Sequence, residues 1–279
     1  MTIIVLLACV LLCPFIAFFL WFMYKKRKRD AINATRLRLF SMPFSEAYRQ
    51  YLVEDFALYQ RLPAELQRKL EGHINIFLHE KSIVGRNGQQ ITDRVRVLIA
   101  GQACLLILNK VADYYPGFKT IMVYPETYKA AVTRHDGVLQ SRSVDLRAGE
   151  SWQRGPVVLA WDHVLAGAKD GRDGHNVVMH EFAHKLDEEN STTNGSPVLP
   201  SRERYTAWSA VLTKEFELQQ KKRLAGDTDV IDNYGATSPA EFFAVVTEVF
   251  FEKPDQLKQM HPLLYQQFEL FYQLDPAAW

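Results

Sequence analysis

Met179-His180-Glu181-Phe182-Ala183-His184-Lys185-Leu186-Asp187 is the stretch from which the rest of the chain is read. Met179, Phe182, Ala183 and Leu186 fall at i, i+3, i+4 and i+7, the spacing of a helix with one buried face. His180 and His184 lie together on a different face, with Cβ atoms roughly 5–6 Å apart. Both imidazoles can then reach one zinc ion at about 2.0–2.1 Å. Glu181 points about 100° round the helix from His180 and can take a proton from a water without ligating the metal. Asp173 or Asn176 stands where the helix N-cap belongs.

This is the H-E-x-x-H arrangement, in which two histidines hold zinc and the glutamate acts as general base. A catalytic zinc takes three protein ligands and keeps a fourth position open, so a third ligand is expected downstream. Glu241 and Glu248, seven apart on one helix face, both qualify. Ser238-Pro239-Ala240-Glu241 also reads as a capping box with proline at the first helical position, which would explain this glutamate without a metal. The residues alone leave both glutamates open. Tyr234 precedes Glu241 by seven; its phenol could donate to the oxyanion of a tetrahedral intermediate, or it is simply an aromatic in a turn.

The chain has 279 residues, 48% hydrophobic and 23% charged, the composition of a globular protein of one large or two modest domains. Its net charge of +1 hides a split. Without the run Lys25-Lys26-Arg27-Lys28-Arg29, 28 basic residues face 32 acidic ones. A slightly acidic body without a basic patch argues against direct nucleic-acid binding. Cys9, Cys13 and Cys104 make neither a disulfide framework nor a cysteine metal site.

Ile3 to Tyr24 carries no charge and is long enough to span a hydrocarbon core of about 30 Å. The basic run follows this segment instead of preceding it, as it would in a cleaved signal peptide. The expectation is an uncleaved single-pass anchor over residues 1–29, with residues 30–279 forming one domain on the cytoplasmic side.

Along that body, a helix is expected from Pro63, and Asn87-Gly88 signals a turn or hairpin. Arg94 to Val111 is an apolar run whose periodicity does not separate helix from strand. Thr120 to Tyr124 and Pro156 to Trp161 read as strands. The second is either a sheet edge able to receive an extended peptide or an ordinary core strand. Asp136-Gly137 marks a turn, and a polar helix is expected from Ser201 to about Leu224. Its charged part, Glu215 to Arg223, offers either a docking surface or a solvated face.

Three segments in order, from Trp152 to Trp161, from His180 to Asp187 and from Tyr234 to Glu248, resemble the Mlc titration factor A family of zinc peptidases. The resemblance extends from roughly residue 40 to the C-terminus. That family is similar at its active site to the catalytic domain of anthrax lethal factor, a glutamate zincin. The resemblance implies an α+β fold, a mainly helical zincin-like metallopeptidase domain with a small mixed sheet. It implies one catalytic Zn2+ on His180, His184 and Glu241, Glu181 as general base and Tyr234 beside the oxyanion. It also suggests that Asp187 hydrogen-bonds a ligand histidine. The implied activity is aminopeptidase-like cleavage of short peptides, and the implied partner is a transcription repressor of the Mlc type.

Overall fold

The computed structural model describes the chain except residues 1, 111–112, 127, 137–138, 148 and 152–154; for residues 2–16 and 128–151 it describes the backbone alone. The chain divides into two compact units, Met1–Pro43 and Phe44–Trp279. The first is one helix, α1 (Thr2–Phe40). Among the described residues no helix is long and apolar enough to cross a membrane. Most of the expected anchor, Ile3 to Tyr24, lies outside the residues whose side chains are described.

The second unit is α+β and mainly helical. It opens with α2 (Glu46–Asp55), α3 (Ala57–Arg61) and α4 (Ala64–Glu80). Pro63 is the residue before the first turn of α4, where its missing N–H costs nothing. β1 (Ser82–Gly85) follows. Asn87 and Gly88 do adopt left-handed φ values of 51° and 85°. They do not close a hairpin, because β1 pairs in parallel with a strand more than thirty residues further on. The ambiguous apolar run resolves into a helix, α5 (Asp93–Leu105). Thr92 caps it by accepting from the Val95 N–H at 3.4 Å. Every residue from Val97 to Leu105 is buried, which is why no amphipathic period is visible.

β2 (Thr120–Tyr124) comes next, followed by β3 (Tyr128–Asp136), β4 (Leu139–Arg147), β5 (Gly149–Ser151) and β6 (Val157–Ala160). β3 and β4 form a separate antiparallel pair, and the turn expected at Asp136-Gly137 lies largely outside the described residues. The main sheet is mixed, in the order β1-β2-β6-β5, with β5 antiparallel to β6. β6 therefore has a neighbour on each side, and its four residues are buried on both faces. The edge reading fails for β6; the outer strand on that side is β5.

α6 (Trp161–Lys169) leads into α7 (Val177–Asp187), the helix of the histidine pair. Asn176 caps α7 by accepting from the Met179 N–H at 3.0 Å. Met179, Phe182, Ala183 and Leu186 are buried, and Phe182 packs edge-on against Tyr115 with ring centroids 4.8 Å apart. α8 (Arg202–Ala225) begins after Ser201, whose hydroxyl accepts from the Arg204 N–H. It ends on Gly226, which takes the left-handed conformation at φ 74°. The charged stretch of α8 is partly engaged within the fold: Glu215 pairs with His261 at 2.7 Å and Lys222 with Asp229. α9 (Pro239–Glu252), α10 (Pro254–Met260) and α11 (Pro262–Tyr272) complete the unit. α8, α9 and α11 meet in an aromatic layer of Trp208, Phe243, Phe250, Phe268 and Tyr272.

Candidate metal centre

α7 and α9 run side by side in opposite directions. The N-terminus of α7 lies against the C-terminal half of α9, and the start of α9 lies near the end of α7. This pairing brings His180, His184 and Glu241 together. Glu241 Oε2 stands 3.0 Å from His180 Nε2 and 3.4 Å from His184 Nε2, and the two imidazole nitrogens are 3.2 Å apart. One ligand atom from each residue falls within 4.8 Å of the others.

The donor set fits a metal. An ion at about 2.0–2.1 Å from tetrahedral ligands leaves those ligands roughly 3.3 Å apart. The three observed edges scatter around that length. A half-buried carboxylate and two facing imidazoles converge their lone pairs on one point, and a divalent cation balances such a group.

Glu241 serves the N-cap and faces the imidazoles through different atoms. Its backbone N–H donates to Ser238 Oγ at 3.2 Å, completing the N-cap, while its carboxylate faces the histidines. Burial would raise this carboxyl, but hydrogen bonds with His180 and His184 outweigh it and hold the group well below the usual carboxylate range. Glu248, the rival ligand, lies one layer out. Its Oε1 is 2.8 Å from His180 Nδ1, and its Oε2 accepts the Asn176 N–H at 2.5 Å. A carboxylate on Nδ1 keeps the proton there and leaves the Nε2 lone pair for a metal. Burial alone would lower the His180 imidazole; Glu248 and Glu241 outweigh it and raise it well above its ordinary value. A second proton on His180 is therefore one that a binding cation displaces.

Glu181 is only 4% exposed, and its Oε2 has no hydrogen-bond partner among the described residues. Burial pushes its carboxyl up to about 7, against the opposing pull of His180 and His184. That is the range that suits a group exchanging a proton near neutral pH. Tyr234 lies in a 3-10 turn, Asn233–Ala236, between α8 and α9. It is 54% exposed, and its ring centroid is 6.0 Å from that of His180, at the open side of the group.

Asp187 departs from expectation. Its Oδ2 accepts the Gly195 N–H at 2.7 Å, and no hydrogen bond joins it to His184, whose Nδ1 is without a partner among the described residues. The role imagined for Asp187 is filled by Glu248 on the other histidine, because α9 and not the end of α7 faces an imidazole Nδ1.

Sequence reasoning missed Glu252. One turn beyond Glu248, it accepts the Gly174 and His175 N–H groups on Oε2 and the Asn176 amide on Oε1. The carboxyl groups of Glu248 and Glu252 together satisfy N–H groups at the start of α7, and burial pushes the Glu252 carboxyl up to about 9. Spacings of seven and four from Glu241 through Glu248 to Glu252 are the signal that could have revealed one inward face.

Residues 25–273 match the family described as glucose-regulated metallo-peptidase M90. An uncharacterized protein of Synechocystis sp. is 39% identical over 86% of this chain and 88% of its own length. Mlc titration factor A of Serratia proteamaculans is 37% identical over 72% of this chain and 77% of its own. The protein of the same name from Klebsiella pneumoniae strain 342 is 36% identical over 75% and 80%. A match across most of the body, with a metal-fitting His-His-Glu group at its centre, places the chain in the Mlc titration factor A family of glucose-regulated M90 metallopeptidases.

Proposed function

We propose that this metallopeptidase is a zinc peptidase acting on short peptides in an aminopeptidase-like manner, with His180, His184 and Glu241 as ligands. The observation that carries this reading is the convergence of those three residues beside the buried Glu181 carboxylate oxygen, which has no partner among the described residues. Two imidazoles and a carboxylate suit zinc. When bound, zinc would polarise the scissile carbonyl and acidify the attacking water. Glu181 accepts the proton of that water and returns it to the leaving amine. Tyr234 donates its phenolic proton towards the developing oxyanion from the open side. Among the described strands β5 is the outer one, and an extended peptide adding to its edge would lie beside α7. The test compares wild type with Glu181→Gln, at equal zinc content, on a panel of short chromogenic peptides. Activity should disappear in the variant with its zinc retained; full activity in Glu181→Gln rules the reading out.

A second reading is regulatory. Several relatives carry the name Mlc titration factor A, which supports an interaction of this chain with a repressor of the Mlc type. The uncharged run Ile3 to Tyr24 with its basic flank supports a membrane anchor that would hold the body at the cytoplasmic face. Retention of purified Mlc-type repressor on vesicles carrying the full chain tests both features together. Vesicles that carry the chain but leave the repressor in solution would remove the regulatory reading.

A further inference from the structure

The two ends of the α7/α9 pair are fastened differently. At one end Glu248 and Glu252 grip the N-terminus of α7 directly. At the other end, where Glu241 must meet the histidines, the loop after α7 lies between the helices, and Gly195 is its point of contact with three elements. Its N–H donates to Asp187 Oδ2 at the end of α7, at 2.7 Å. Its carbonyl accepts from Trp208 Nε1 of α8, at 3.0 Å. Its φ is +73°, and a Cβ there would stand 2.3 Å from the carbonyl oxygen of Pro239, the first residue of α9. The loop backbone thus rests on the first turn of α9, two residues before Glu241. No side chain larger than hydrogen fits without moving one of them.

We propose that Gly195, held by Asp187 and Trp208, is a positioning residue that sets the distance between Glu241 and the His180–His184 pair. The inference rests on the metal reading given above. The ligand triangle has edges of 3.0 to 3.4 Å, and a site of this kind works only when its groups are held within about 0.5 Å. A methyl group at Gly195 must displace either the loop or the start of α9 by more than that. A shift of the α9 start passes along about half a helical turn to Glu241 and moves its carboxylate against the histidines, while Glu248 and Glu252 keep the far end of the pair in place.

The test measures zinc affinity by chelator competition, and the visible spectrum of the cobalt(II)-substituted protein, on the full chain. The variants are Gly195→Ala, Trp208→Phe and, as a stability control, Leu70→Ala, which is buried on α4 away from the site. Gly195→Ala is expected to bind zinc at least tenfold more weakly, within the roughly 10–100-fold range of residues that orient ligands, and to alter the cobalt bands. Trp208→Phe keeps an aromatic ring but loses the hydrogen bond to the Gly195 carbonyl; it should weaken zinc binding in the same direction by a smaller factor. Leu70→Ala should lower Tm with wild-type affinity and spectrum. Zinc affinities of Gly195→Ala and Trp208→Phe within twofold of wild type would overturn the inference, as would an equal loss of affinity in Leu70→Ala. If Gly195→Ala does not fold, Trp208→Phe alone decides in the same way. Wild-type protein that binds no zinc would instead overturn the metal reading, and this inference with it.

Discussion

Glu248 Oε1 and His180 Nδ1 stand 2.8 Å apart, while the second oxygen of the same carboxylate holds the Asn176 N–H at the start of the helix that carries the histidine. One side chain therefore fixes both the tautomer of a metal-binding imidazole and the position of its helix. Glu248→Gln can still accept through its amide oxygen but cannot satisfy both donors with charge. Zinc affinity measured by chelator competition should fall by about 10–100-fold, and peptidase activity at saturating zinc should fall less.

The cap and ligand roles meeting in one turn of α9 can be separated. Ser238→Ala removes the acceptor of the Glu241 N–H and should cost about 0.5–2 kcal/mol in urea unfolding, with zinc affinity nearly preserved. Glu241→Ala should do the reverse, abolishing tight zinc binding while the metal-free protein unfolds close to wild type. A parallel loss of both properties in both variants would mean that the cap and the ligand cannot be treated as separate functions.

Tyr234 is exposed beside His180 and contributes no ligand atom to the metal-binding group. Tyr234→Phe should therefore leave zinc affinity and Tm unchanged and lower kcat by roughly 10²–10³-fold, as removal of an oxyanion donor does. An unchanged kcat would leave Tyr234 as an aromatic wall of the cleft and no more.

Stability should respond to acid through the α2–α5 contact. The Arg94 guanidinium donates to Asp55 at 2.6 Å, with Lys169 at 3.7 Å, and this pairing holds the largely buried Asp55 carboxyl below its ordinary value. A depressed carboxylate pKa contributes stability that is fully present above the unfolded value of about 3.9 and is lost as pH falls through the lower folded value. Wild type should exceed Asp55→Asn by about 1 kcal/mol at pH 7, an amount already discounted for the partly exposed guanidinium. The gap should close below about pH 4 in urea titrations of the two proteins. A gap independent of pH would assign the effect to packing.

The sequence by itself determined the local features. Four apolar residues at helical spacing and two histidines four apart require the α7 helix and its two faces, because helical geometry depends on near neighbours alone. Ser238-Pro239 at the start of α9, Ser201 before α8 and the strand Thr120–Tyr124 were legible for the same reason. Only the tertiary structure decided which carboxylate would meet the imidazoles. Glu241 and Glu248 lie seven apart on one helix face, and either could serve until the antiparallel placement of α9 against α7 puts Glu241 at Nε2 and Glu248 at Nδ1. Tertiary structure also decided that Asn87-Gly88 is a turn and not a hairpin, since its strand finds a parallel partner far along the chain. It placed β6 inside the sheet and gave Asp187 to Gly195 in place of a histidine. Such partners are set by long-range packing, in which burial rewards any arrangement that fills space and satisfies the enclosed polar groups, and no spacing along the chain specifies which one that is.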